Sequence, residues 1–311
     1  MASCRMAAAP FSVPGDAIRL EANDERVFGL AEQLWERTGS EPANGRAIEL
    51  RVTVRSGGPP GPVPERQLAW ELGEHEYVAS IPGLLAMTID LAEARAHAEV
   101  SVGILEGAPS FAARTLLEAP VAVLLCRRGF NVLHAGAVAG PGGAVVLRGA
   151  GGAGKSTLVA AAWRAGFGVL ADESLLVSRE DTDLLASSVR DLTLLADAES
   201  LLGLGGATEE AFTGGEPKRR IDLFPGSSPK QRVARRAATL LLGERSPGPA
   251  RLIPLDLEEF RREFREGEIP QERQGGDPDA VAQAWARERS WRLDGAADLG
   301  GAVEILGKLV A

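Results

Sequence analysis

Residues Gly149-Ala150-Gly151-Gly152-Ala153-Gly154-Lys155-Ser156 read G-x-x-x-x-G-K-S, and no other stretch constrains the chain as much. Glycines let the backbone fold into a nest whose N–H groups converge on anionic oxygens. The mechanism also needs a strand before the loop and a helix after it. The flanks supply both: Ala144–Leu147 is an apolar run of strand length, and Lys155–Ala165 has a helical pattern. That helix would add the positive end of its dipole. The Lys155 ammonium suits β- and γ-phosphates, and the Ser156 hydroxyl suits Mg²⁺, a hard ion that prefers oxygen. A chance glycine-rich turn is the plainer reading, but it requires neither Lys-Ser at this place nor the strand–loop–helix order. Gly149, Gly151, Gly152, Ala153, Gly154, Lys155, Ser156 and Thr157 are therefore the expected nucleotide-binding residues. ATP or GTP is the expected nucleotide, with Mg²⁺ as the metal.

Asp172 and Glu173 stand 17 and 18 residues after Lys155, at the end of the apolar run Phe167–Ala171. If that strand lies beside the strand of the glycine loop, its C-terminal end brings both carboxylates to the phosphates, the edge where α/β sheets bind ligands. Asp172 is the expected base toward an attacking hydroxyl, and Glu173 assists with the metal. Ser156, Asp172 and Glu173 form the expected metal set. A surface turn at a strand end is the alternative. His134 lies 15 residues before Gly149. On spacing alone a lone strand histidine is usually a satisfied core residue.

The run Leu133-His134-Ala135-Gly136-Ala137-Val138, then Gly149–Thr157, then Gly166-Phe167-Gly168-Val169-Leu170-Ala171-Asp172-Glu173 resembles HPr kinase/phosphorylase and its diverse HPr-kinase-like relatives. The resemblance is strong over about residues 130–180. It continues weakly through Lys218, the strand Thr239–Leu242 and the ending Trp291–Leu306. It implies a P-loop kinase core related to that of phosphoenolpyruvate carboxykinase, and phosphoryl transfer to a serine hydroxyl. It also implies that His134 sits near the phosphates or the acid pair, where a neutral imidazole would orient Asp172 or a phosphate oxygen. The family shows Asp-Asp where this chain has Asp172-Glu173, and an Arg/Gly/Asn-rich segment that is not found here. The N-terminal region does not look like the regulatory domain of the bifunctional enzymes. The better match is the HPr-kinase-like group, some of whose members modify precursor peptides or small hydroxyl compounds.

Glu216-Pro217-Lys218-Arg219-Arg220 is a basic cluster opening a strand. A kinase needs extra positive charge for the transferring phosphoryl group or an acidic substrate, and the resemblance puts a lysine near this point. Lys218 and Arg219 are thus expected at the nucleotide site. Arg232, Arg235 and Arg236 have a spacing that also suits an exposed helix.

The 311 residues suffice for two modest domains, and 45% hydrophobic content supplies a core. A net charge of -9 argues against general nucleic-acid binding. Cys4 and Cys126 cannot make a disulfide framework; Cys126 reads as a small core residue and Cys4 as part of a mobile tail. No run reads as long enough to span a membrane, and Met1–Pro14 resembles neither a signal nor a transit peptide, so a cytoplasmic location is expected.

The expected architecture is α/β (α+β). Residues 1–108 form a smaller β-rich domain with a loose tail over 1–45 broken by a helix at Val27–Arg37, and residues 109–311 form the kinase-like domain. Val132–Val138 reads as one strand, Leu192–Leu202 as a helix, Gly267–Pro278 as a polar loop and Ala280–Arg289 as a short helix. The expected activity is ATP-dependent transfer to a hydroxyl of a peptide, protein or small molecule. A nucleotide-gated ATPase and a non-catalytic, peptide-binding regulator are the alternatives. The short gap from Lys155 to Asp172 speaks against the first, and intact Lys155, Ser156 and Asp172 against the second. A homo-oligomer is compatible with the sequence.

Overall fold

The computed structural model describes residues 6–13, 16–38, 47–57, 68–73, 75–187, 191–195, 197–198, 202–203, 208–210, 218–223, 232–243, 248–273 and 276–311. It is a mixed α/β protein with two large mixed sheets and flanking helices. The chain divides into two compact units. One comprises residues 1–127 with 209–218 and 224–231, the other residues 128–208, 219–223 and 232–311.

The first unit is built on strands β1 (Ala7–Val13), β2 (Asp16–Ala22), β3 (Glu36–Arg37), β4 (Ile48–Arg55), β5 (Ala69–Leu72), β6 (Glu76–Ile81), β7 (Leu85–Asp90) and β8 (Arg95–Ser101). Their order is β3-β1-β2-β4-β8-β7-β6-β5. Period-two alternation sets the faces: Ala9, Phe11 and Val13 on β1, Ile18, Leu20 and Ala22 on β2, and Ile48, Leu50 and Val52 on β4 are all buried. The opposite face carries a ladder of opposite charges, in which Arg51 pairs with Glu21 and Arg95 with Glu49. Ala7–Val13 and Asp16–Ala22, expected as loose tail, are thus paired antiparallel strands. Alanines and Pro10 weaken the β signal there, and burial of the alternating apolar set overrides it. Helix α1 spans Glu25–Leu34, capped by the Asp24 side chain on the Arg26 N–H.

Helix α2 (Val102–Gly107) leads into α3 (Pro109–Arg127), which packs on α1. It clusters with the first compact unit, which runs to Arg127. Residues Ala113–Glu118 take the wide π form. Pro120 explains it, since a proline in a helix lacks its N–H and crowds the carbonyl four residues back, here that of Leu116. At 19 residues and mean hydropathy 1.3, α3 is long and apolar enough to cross a membrane, contrary to the sequence expectation, and 67% of its apolar window is buried inside the structure. Cys126 is buried in this helix.

In the second unit the strands are β9 (Phe130–His134), β10 (Gly136–Gly140), β11 (Gly143–Arg148), β12 (Gly168–Ala171), β13 (Ser174–Ser178), β14 (Leu184–Ser187), β15 (Asp191–Leu195), β16 (Thr208–Glu210, partly in the first unit), β17 (Lys218–Asp222), β18 (Arg232–Leu242), β19 (Arg251–Pro254) and β20 (Ser290–Asp294). The helices are α4 (Lys155–Arg164), α5 (Leu257–Glu266), α6 (Pro270–Arg273), α7 (Pro278–Trp285) and α8 (Leu299–Leu309). The main sheet runs β12-β10-β11-β18-β14-β13-β9, with β20 also paired to β18. β11 is parallel to β18 and antiparallel to β10.

Helices cover both faces of this sheet. A Cβ on Gly136 would lie 2.8 Å from Val159 of α4, so that glycine lets the helix close on β10. On the other side Phe260 and Phe264 of α5 and Val281, Ala282 and Trp285 of α7 join Ala144, Val146 and Leu241 in one core.

The expected strand Val132–Val138 breaks at Ala135, and its halves pair differently: β9 with β13, β10 with β11 and β12. β12 is not beside β11, because β10 lies between them. The start of the expected helix Leu192–Leu202 is strand β15, where β-branched Thr193 sits between buried Leu192 and Leu194. β18 begins at Arg232, so Arg232, Arg235 and Arg236 lie on a strand, not on an exposed helix. The expected helix Ala280–Arg289 is α7, which Pro278 opens and which ends at Trp285.

Trp285 is fully buried, meets Phe264 edge-to-face at 6.0 Å, and donates its indole N–H to the Thr182 carbonyl at 2.9 Å. Trp285→Ala is expected to lower unfolding free energy by about 3–5 kcal/mol. Urea unfolding checks this, and a loss under about 1 kcal/mol, the size of an ordinary point change, would contradict the packing described.

Candidate functional site

The glycine loop leaves the buried end of β11 at Arg148. A side chain on Gly149 would put its Cβ 2.6 Å from the Leu242 carbonyl oxygen, so only glycine fits. Gly152 and Gly154 have φ of 82° and 98°, the left-handed region that favours glycine. These turns reverse the chain into α4, whose first residue is Lys155. No side chain caps that helix start, and uncapped N–H groups at a helix start are of the kind that can take an anion.

Lys155 is only 6% exposed, and its Nζ donates to the carbonyl oxygens of Gly149 at 2.8 Å and Ala150 at 3.2 Å. Burial pushes its pKa below the ordinary lysine value; the nearby Arg148 charge adds to this, while Asp172, Glu173 and Glu272 oppose it. Ser156 is half-buried and Thr157 buried, both in the first turn of α4.

Asp172 and Glu173 form the turn between β12 and β13. Asp172 is 4% exposed, and one carboxylate oxygen accepts the Thr193 N–H of β15 at 3.0 Å. Glu173 is half-buried, and its carbonyl accepts the Ala135 N–H at 3.3 Å. Both carboxylates lie within electrostatic reach of Lys155. The acid pair thus reaches the loop although β10 separates their strands, because Ala135, where β9 becomes β10, hydrogen-bonds to Glu173.

His134 ends β9 opposite Ser174. Its imidazole is hydrogen-bonded to the Glu173 main chain. Burial lowers its pKa, Lys155 lowers it further, and Glu173 opposes them. The ring is therefore neutral at pH 7. The structure brings it to the acid pair through the backbone of Glu173.

Three residues escaped sequence reading. Arg148 and Glu272, 0% and 1% exposed, form a two-pronged ion pair beneath the loop, with N···O distances of 3.0 and 2.8 Å. Gly267 packs against Gly149. Arg148 offered one signal, a charge closing an otherwise apolar strand. Glu272 lay in the stretch Gly267–Pro278 expected as a polar loop, which instead contains helix α6.

Lys218 and Arg219 lie on β17, but their side chains fall outside the described residues, as does that of Arg232. Arg235 is exposed and pairs with Asp181, and Arg236 is buried against Asp183 and the Trp285 ring. Neither joins the glycine loop. Among the described residues no three His, Cys, Asp or Glu side chains cluster to hold a metal. A Mg²⁺ ion at Ser156 would take further ligands from phosphate oxygens, the acid pair and water. The chain matches no protein-family model, and no curated protein matches it.

Proposed function

We propose that this chain is an ATP-dependent kinase that transfers the γ-phosphoryl group to a hydroxyl of a peptide, protein or small molecule. One observation carries the reading: an uncapped helix start behind two left-handed glycines, with a buried lysine and two carboxylates in electrostatic reach. The nest and the N–H groups of α4 suit the phosphates. Ser156, Asp172 and Glu173 suit Mg²⁺, which when bound neutralises phosphate charge and polarises the transferring group.

Asp172 accepts the hydroxyl proton as the acceptor oxygen forms its bond to the γ-phosphorus. The bond from that phosphorus to the bridging oxygen breaks, and ADP leaves with the electron pair. The Thr193 N–H holds one Asp172 oxygen and so orients the carboxylate. Lys155 stabilises charge on the transferring group. Neutral His134 braces the Glu173 backbone. The HPr-kinase-like resemblance supports the same chemistry, with the P-loop kinase core as its fold.

Incubating the chain with Mg²⁺ and ATP labelled at the γ-phosphate, against seryl peptides and small hydroxyl compounds, tests this. Label is expected on a hydroxyl, with little release of free phosphate when no acceptor is present. Rapid acceptor-independent phosphate release would point instead to a nucleotide-gated ATPase.

A further inference from the structure

The buried pair Arg148–Glu272 has no place in the chemistry above, yet it occupies the core directly beneath the loop. Exchanging a buried ion pair for apolar residues is often neutral for stability, so stability alone does not account for it. Its hydrogen bonds suggest another role. The Arg148 Nε donates to the Phe264 carbonyl at 2.8 Å, near the end of α5. Nη1 donates to Glu272 Oε1 at 3.0 Å and reaches the His134 carbonyl at 3.4 Å, and Nη2 donates to Glu272 Oε2 at 2.8 Å. Glu272 Oε1 also accepts the His134 N–H at 2.7 Å. The Phe264 ring lies against the guanidinium, 4.0 Å from its centroid. One planar cation therefore ties the end of β9, the end of β11, α5 and α6.

Each tied segment borders the site. Arg148 is bonded covalently to Gly149, and His134 contacts the Glu173 main chain. Gly267, three residues after Phe264, sits so close that a Cβ on it would lie 2.9 Å from both the N and the O of Gly149. Gly267 has φ -86° and ψ 1°, which any residue can adopt, so close approach alone demands glycine there. The Gly149 carbonyl that Gly267 abuts is the one Lys155 donates to.

We propose that Arg148 and Glu272 are a positioning pair which, with Gly267, fixes the entry of the glycine loop and the main chain of His134, and so sets affinity for ATP. This rests on the nucleotide-binding reading above. Positioning can carry large effects, since a displacement of about 1 Å can lower rates roughly 10²-fold.

The test measures affinity for the N-methylanthraniloyl derivative of ATP with Mg²⁺, beside Tm, for the parent chain, the double variant Arg148→Met/Glu272→Leu, and Gly267→Ala. The double variant is expected to unfold cooperatively with a Tm lowered only modestly, since no buried charge is left alone although the His134 N–H and the Phe264 carbonyl lose their partners. Its affinity is expected to fall by about tenfold or more, in line with loop displacement. Double-variant affinity equal to the parent's overturns the proposal. If the double variant does not fold, Gly267→Ala decides: cooperative unfolding with weakened affinity supports the proposal, and parental affinity overturns it. A parent chain that does not bind the probe overturns the nucleotide reading itself. That failure is distinct, because it appears without any substitution.

Discussion

Asp172→Asn is expected to reduce phosphoryl transfer by about 10²–10⁴-fold, the usual contribution of a positioned general base. The substitution removes the base and one charge of the proposed metal set, and the two effects separate by measuring with and without Mg²⁺. Asn keeps an oxygen that accepts the Thr193 N–H, now at 3.0 Å, so the turn between β12 and β13 keeps its anchor. What it loses is the negative charge that takes the proton. Tm, and ATP affinity measured without Mg²⁺, should therefore stay close to parental values while the rate at saturating ATP and Mg²⁺ collapses. Measuring both on the same preparation separates the alternatives. Retained transfer with an acceptor would remove Asp172 as the base, and Glu173, the other acid at this turn, would become the group to substitute.

Lys155→Met carries the second large effect, and it falls on affinity. A hydrogen bond to a charged group contributes about 1.5–3 kcal/mol, which corresponds to roughly 10- to 150-fold in ATP affinity. Folding should suffer little. The ammonium is buried, so removing it relieves a desolvation penalty, while its two bonds to the Gly149 and Ala150 carbonyls are lost. These changes oppose each other. Equilibrium binding of ATP with thermal unfolding alongside checks both, and unchanged affinity would remove Lys155 from the phosphate site.

Much of this site is local in sequence, which is why it could be read there. The loop, its strand and its helix lie within residues 143–164, and the demands of backbone geometry act on neighbouring residues. Gly152 and Gly154 occupy left-handed positions that glycine spacing already suggested. The position of the acid pair was only half legible. Its place at the end of an apolar strand was plain, but the intervening β10 was not, because pairing order depends on contacts distant along the chain.

The Arg148–Glu272 pair joins residues 124 apart, and Glu272 stands among polar residues that read as solvated loop. Burial there is decided by α5 and α6 folding back under the loop, which no local pattern encodes. The antiparallel pair β1–β2 was missed for the opposite reason. Its residues are weak strand formers taken singly, and only the shared buried face makes them a sheet. β15 was misread because leucines serve helix and strand alike, so a short apolar run does not fix its own period.

The chemistry proposed for this chain depends on the glycine loop holding a nucleotide. The direct measurement is an equilibrium titration of the full chain with N-methylanthraniloyl-ATP, with and without Mg²⁺, and with unlabelled ATP as competitor. Saturable, competable binding that strengthens with Mg²⁺ is predicted, at a dissociation constant within about 1 µM–1 mM, the range of typical enzyme substrates. A titration that shows no saturation across that range, in Mg²⁺ or without it, would contradict the account.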